Sequence, residues 1–83
     1  MKPIARTEQQ LGAIIRRERR RQELTQQQLG ARIGLRQATI SKLERGEPAT
    51  RLRTLLDALT ALGLQLVIEE RETAASADIG ALF

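Results

Sequence analysis

Four stretches of this chain repeat apolar residues at helical spacing, and a fifth alternates. In the first, Leu11, Ile14 and Ile15 form one stripe, which predicts a helix from Thr7 to about Gln22. Thr7 suits the N-cap, Glu8 favours the positive end of the helix dipole, and Leu24 closes the turn after it. In the second, Leu29 and Ile33 share a face four residues apart. Thr25 can cap this helix, Gln26, Gln27 and Gln28 fill its first turn, and Gly34 can end it in a left-handed conformation so that Leu35 folds back. The third stretch predicts a helix from Arg36 to Arg45, with Ile40 and Leu43 inward and Gly46 as the stop. Arg36, Gln37, Thr39 and Lys42 lie away from that stripe, and Ala38 is too small to block close approach. A loop, Glu47-Pro48-Ala49, leads to a fourth helix capped by Thr50 and running to about Leu62. Its stripe of Leu52, Leu55, Leu56, Leu59 and Leu62 is dense enough to cover the other helices and leave apolar surface for a partner.

At Gly63 the period changes. Residues 64–70 alternate, with Leu64, Leu66 and Ile68 on one face and Gln65, Val67 and Glu69 on the other, the mark of a strand. A lone strand in a helical domain leaves backbone groups unpaired. Its simplest mate is the same strand of a second copy, antiparallel across a two-fold axis. Leu64, Leu66, Val67 and Ile68 are therefore the expected dimer strand. Residues 71–83 are small, polar and acidic until the last five, a composition that predicts a flexible tail. Ile79, Leu82 and Phe83 interrupt it, and Phe83, the chain's one aromatic residue, reads equally as a partner anchor, a degradation signal or an incidental end.

Composition narrows the function. At 83 residues the chain makes one small domain, with a core modest enough to gain from oligomerisation. Its net charge of +4 is unevenly placed: residues 16–53 carry eleven basic and four acidic side chains, residues 54–83 one basic and five acidic. A basic middle suits phosphate, and an acidic end suits a different partner. With no cysteine and no histidine, the chain lacks disulfides, thiolate sites and the commonest general base and metal ligand, so no enzyme, metal or cofactor is expected. Almost no aromatic surface is available for stacking single-stranded bases. No apolar run approaches the ~20 residues a membrane span requires, and the N-terminus lacks a signal-peptide pattern, which predicts a cytoplasmic protein. Residues 1–6 read as an arm, frayed or touching DNA backbone. The run Arg16-Arg17-Glu18-Arg19-Arg20-Arg21 spans more than one turn, so its members divide. Arg19 falls inward, four after Ile15, and the others form a solvated face with some attraction for phosphate. Arg51 and Arg53, at the start of the fourth helix, fit phosphate contact and plain solvation equally.

The pattern Thr25-Gln26…Leu29-Gly30-Ala31…Ile33-Gly34-Leu35…Thr39-Ile40-Ser41-Lys42-Leu43-Glu44-Arg45-Gly46 resembles the helix-turn-helix of the Cro/XRE family, the phage lambda repressor type. The likeness runs from about Leu11 to Gly63. It implies an all-α domain of about four helices, residues 7–63, between the arm at 1–6 and the strand at 64–70, with the tail at 71–83. With the Leu-rich helix, Gly63, strand and tail added, the chain is similar to the HipB-type antitoxins.

That resemblance implies a homodimer that represses its own operon, binds a HipA-type serine/threonine kinase toxin and associates with the nucleoid when on DNA. The alternative is a stand-alone small XRE-family regulator without a toxin. The resemblance also implies roles. Arg36, Gln37, Ala38 and Thr39 would contact bases, Arg36 suiting guanine, Gln37 adenine and Ala38 a thymine methyl. Gln26, Gln27, Ser41, Lys42 and Arg45 would reach phosphates or bases, with Gln26 donating to a phosphate and setting the docking register. Arg19 and Glu44 would form a partly buried ion pair. The operator would be double-stranded DNA with an inverted repeat, its half-sites about one helical turn apart or a multiple. No membrane or small-molecule partner is implied.

Overall fold

Two threonines open the first two helices, and a shared stop closes all four. The computed structural model describes residues 2–71. They form α1 (Glu8–Arg21), α2 (Gln26–Ile33), α3 (Gln37–Glu44) and α4 (Leu52–Ala61). The Thr7 hydroxyl accepts from the Gln10 backbone N–H at 3.1 Å, and the Thr25 hydroxyl from that of Gln28 at 3.0 Å. The Gln28 side chain accepts in return from the Thr25 N–H at 2.8 Å, completing a capping box that satisfies two otherwise orphaned donors.

Each helix then ends on a residue with positive φ: Glu23 at 58°, Gly34 at 68°, Gly46 at 81° and Gly63 at 73°. The residue after each donates back across the last turn, Leu24 to Arg19, Leu35 to Gly30, Glu47 to Lys42 and Leu64 to Leu59. This is the Schellman stop, which gives orphan carbonyls a donor and turns the chain away.

The starts of α3 and α4 differ from the sequence expectation. Arg36 and Arg45 flank α3 as its caps, and α4 is capped by Arg51, not Thr50. The Thr50 N–H donates to the Glu47 carbonyl at 3.1 Å, closing a turn just before the helix.

The core is drawn from every helix. Ile15, Leu29 and Ile40 are fully buried, joined by Leu43, Ala58, Leu59 and Leu62. Leu11, Leu24, Ile33, Leu35, Leu55, Ala61 and Leu64 pack around them. Burying one such aliphatic side chain is worth roughly 1.5–3 kcal/mol, so this cluster is the main favourable contribution set against the entropy lost on folding. The α4 stripe divides as expected: Leu59 and Leu62 face inward, while Leu52 stays 64 % exposed.

Gly12 sets how α1 meets α3. A Cβ there would lie 2.5 Å from the Glu44 carbonyl oxygen and 2.6 Å from that of Leu43, inside the contact limit, so only glycine lets α1 approach so closely.

Residues 64–70 carry no strand or helix among the described residues. Leu64 is half-buried on the core, but Leu66, Val67 and Ile68 are 53 %, 59 % and 91 % exposed. The tail, with Ile79, Leu82 and Phe83, lies outside the described residues.

Candidate nucleic-acid interface

The third helix is buried along one side only. Ile40, Leu43 and Glu44 face the interior, while Arg36, Gln37, Ala38, Lys42 and Arg45 are exposed and Thr39 and Ser41 are half-buried. The exposed set brings three cations and one carboxamide onto an outer face whose first turn includes the small Ala38. Arg36, the N-cap, makes no side-chain cap bond, and its carbonyl accepts from the Thr39 N–H at 3.0 Å, which leaves the Gln37 and Ala38 N–H groups without a partner among the described residues. At the other end, the Arg45 guanidinium donates to the Ser41 hydroxyl at 2.9 Å, one turn back. Gln27 is exposed at the start of α2, and Gln26 beside it is half-buried.

Behind this face lies a buried polar knot. Arg19 Nε donates to Glu44 Oε2 at 2.6 Å and its Nη2 to Oε1 at 3.0 Å, a two-bond fork. Arg19 Nη1 donates to the Leu24 carbonyl at 2.7 Å, and Gln26 Nε2 donates to Glu44 Oε1 at 3.1 Å. Side-chain exposure is 9 % for Arg19 and 2 % for Glu44. The hydrogen bonds from Arg19 to Glu44 hold the guanidinium pKa above its ordinary value. Among the described residues, no buried side-chain nitrogen or oxygen is left without a partner. The knot ties α1, the turn after it, α2 and α3 into one unit.

Outside, a second pair behaves differently. Glu18 accepts from Arg21 at 2.6 and 2.9 Å and from the Gln22 carboxamide at 3.1 Å. The bonds from Arg21, then that from Gln22, lower the Glu18 pKa from 4.5 to about 2. Gln22 also donates to the Leu62 carbonyl at 2.8 Å, joining the ends of α1 and α4. Arg16, Arg17 and Arg20 remain exposed on α1, as do Arg51 and Arg53 at the start of α4. Arg53 lies 3.5 Å from Asp57, one turn on.

Sequence reasoning overlooked the capping box, although the spacing Thr25-x-x-Gln28 is its signature. It also overlooked the bond from Gln26 to Glu44, which joins residues 18 positions apart and leaves no local trace. Gly12 and Gln22 are likewise tertiary in origin. Among the described residues no group of His, Cys, Asp and Glu side chains could hold a metal ion, and no helix is long and apolar enough to cross a membrane.

The family model for the helix-turn-helix, HTH_3, matches residues 15–68. No curated protein matches the chain's sequence. Two solved structures are similar over nearly their whole length. A serine-to-alanine variant of HipB in complex with an O2 20mer superposes with a TM-score of 0.78 at 29 % identity, covering 87 % of this chain and 99 % of that one. HipB in complex with an O4 20mer gives the same score and identity, covering 87 % of this chain and 100 % of that one. A helix-turn-helix whose third helix is basic on its exposed side, matched by the family model and by these complexes, marks a regulator and not an enzyme: the chain belongs to the HTH_3 helix-turn-helix family, of Cro/XRE type, and is a HipB-like DNA-binding protein.

Proposed function

We propose that the chain is a dimeric operator-binding repressor that acts as a HipB-like antitoxin, autoregulating its operon and binding a HipA-type serine/threonine kinase toxin. The observation that carries the DNA half of this reading is the outer face of α3, with Arg36, Gln37, Lys42 and Arg45 exposed on a fold similar to HipB in complex with 20mers. Arg36 and Gln37 read base edges, Ala38 and Thr39 line the groove, and Gln26, Gln27, Ser41, Lys42 and Arg45 hold phosphates or adjoining bases. Each good paired contact to a base is worth about 1–3 kcal/mol of discrimination. Arg36→Ala and Gln37→Ala should therefore each weaken operator binding about fivefold to a hundredfold in a titration at fixed salt. Unchanged affinity in both would sink the base-contact assignment.

In the dimer, residues 64–70 pair with the same residues of the partner copy. The exposure of Leu66, Val67 and Ile68 supports this, because a second copy would remove that apolar surface from water and satisfy the segment's backbone. Ile68→Asp should leave the fold of each chain intact and raise the dimer dissociation constant at least tenfold by sedimentation, in keeping with a buried unpaired charge. The toxin half rests on the likeness to HipB and on the acidic C-terminal region. A pull-down from the native cytoplasm, with bound protein and DNA both identified, tests it. A kinase recovered with the chain's own promoter supports the antitoxin reading. Promoter DNA alone leaves a stand-alone regulator.

A further inference from the structure

Glu44 does more than neutralise Arg19. Its Oε1 accepts two donors, Arg19 Nη2 at 3.0 Å and Gln26 Nε2 at 3.1 Å, while Oε2 accepts Arg19 Nε at 2.6 Å. Gln26 is the first residue of α2, half-buried, at the end of the helix where backbone N–H groups have no intrahelical carbonyl. Its carboxamide has two N–H donors and one acceptor oxygen. Glu44 takes one donor, and the other has no partner among the described residues. A free glutamine at a helix start samples many rotamers, and fixing them on binding costs affinity.

We propose that Glu44 is a positioning residue for DNA docking: it holds the Gln26 carboxamide so that its second N–H meets a backbone phosphate already oriented. Glu44 sits at the end of α3 and Gln26 at the start of α2, so one buried carboxylate links the phosphate contact to the helix that reads the groove. Arg19 makes this possible, because an unpaired carboxylate beside a phosphate would repel it. The inference rests on the proposed function, in which Gln26 contacts phosphate.

Immobilising one such side chain is worth about three- to tenfold in affinity. The test separates this hold from the ion pair by removing the pair first. In Arg19→Met/Glu44→Gln the acceptor facing Gln26 remains; in Arg19→Met/Glu44→Leu it is lost. Each full-length variant is titrated at fixed salt with a 20-bp duplex selected from a random pool by the wild-type chain, at a temperature where melting curves show it folded. The glutamine variant should bind within about twofold of wild type and the leucine variant about three- to tenfold more weakly. Adding Gln26→Ala should cost about tenfold in the first background and less than threefold in the second, following the value of one hydrogen bond to a charged group. An equal cost in both overturns the proposal while leaving the DNA reading intact. A wild-type chain that selects no duplex overturns both. A readout without core variants is the side-chain amide relaxation of the free chain. Gln26 should be as ordered as the backbone and Gln27 mobile, and equal mobility in the two would also overturn the proposal.

Discussion

Gly34 and Gly63 end their helices in the same way, yet the segments beyond them could hardly differ more. Both are left-handed, both are succeeded by a leucine that donates back across the last turn, and both leucines are half-buried. After Gly34 the chain re-enters the domain as α3 and buries Ile40 completely. After Gly63 it leaves, and by Ile68 the side chain is 91 % exposed. Identical local chemistry thus yields a closed region and an open one. The difference lies in what each segment finds to pack on. Residues 36–45 meet α1 and α2, with polar groups matched by Arg19, Glu44 and Gln26. Residues 65–71 meet nothing among the described residues that buries them.

The buried pair is where the closed region breaks most easily. Arg19→Leu would strand the Glu44 carboxylate and remove a donor from the Leu24 carbonyl, costing about 3–5 kcal/mol. Against a total stability of about 5–15 kcal/mol for a domain, that is a large share of what holds the fold together. Urea denaturation would measure it. The paired replacement Arg19→Met/Glu44→Leu should recover most of the loss, because it leaves no unpaired charge. A single variant as stable as wild type would mean that water reaches the pair freely.

The glycines test the comparison directly. A Cβ at either position meets nothing within 4 Å, so alanine is opposed by backbone strain alone. Gly34→Ala should cost about 1 kcal/mol, because α3 is anchored on both sides and the turn cannot relax. Gly63→Ala should cost less in the dilute monomer, where the chain beyond it can shift and sacrifice only the packing of Leu64. Equal losses by denaturant titration would show that residues 64–71 are held as firmly as α3.

The smallest effect is electrostatic and sits on the outside of α1. Glu18, lowered from 4.5 to about 2, favours the folded state above pH 4.5, and this contribution fades as pH falls through about 2. Wild type should melt slightly higher than Glu18→Gln at neutral pH, with the gap closing between about pH 4 and 2. A carboxyl titration midpoint near 4.5 by NMR would show the contact with Arg21 to be lost in solution. Exposed pairs of this kind contribute little, in contrast to the buried one.

Much of this arrangement is legible in the chain itself. Thr7 and Thr25 announce their helices, Gly34, Gly46 and Gly63 announce three of the four ends, and the stripes of Leu and Ile separate core from surface. These signals are local: a cap, a turn or a stripe is decided within a few residues, where backbone sterics and helical periodicity act. Glu23 is the exception among the stops, a non-glycine residue at φ 58° that no local rule would place there. Arg51 takes the cap position that the sequence suggested for Thr50, whose N–H closes a turn on the Glu47 carbonyl just before the helix.

Sequence alone therefore determined the four helices, the apolar face of each and the exposed basic side of α3, since periodicity and capping are properties of neighbouring residues. Only the tertiary structure decided that Gly12 must be bare for α1 to touch the α3 backbone, that Gln22 ties the end of α1 to that of α4, and that Gln26 shares one Glu44 oxygen with Arg19. Those depend on distances between residues far apart in the chain, and such distances come into being only when the helices pack.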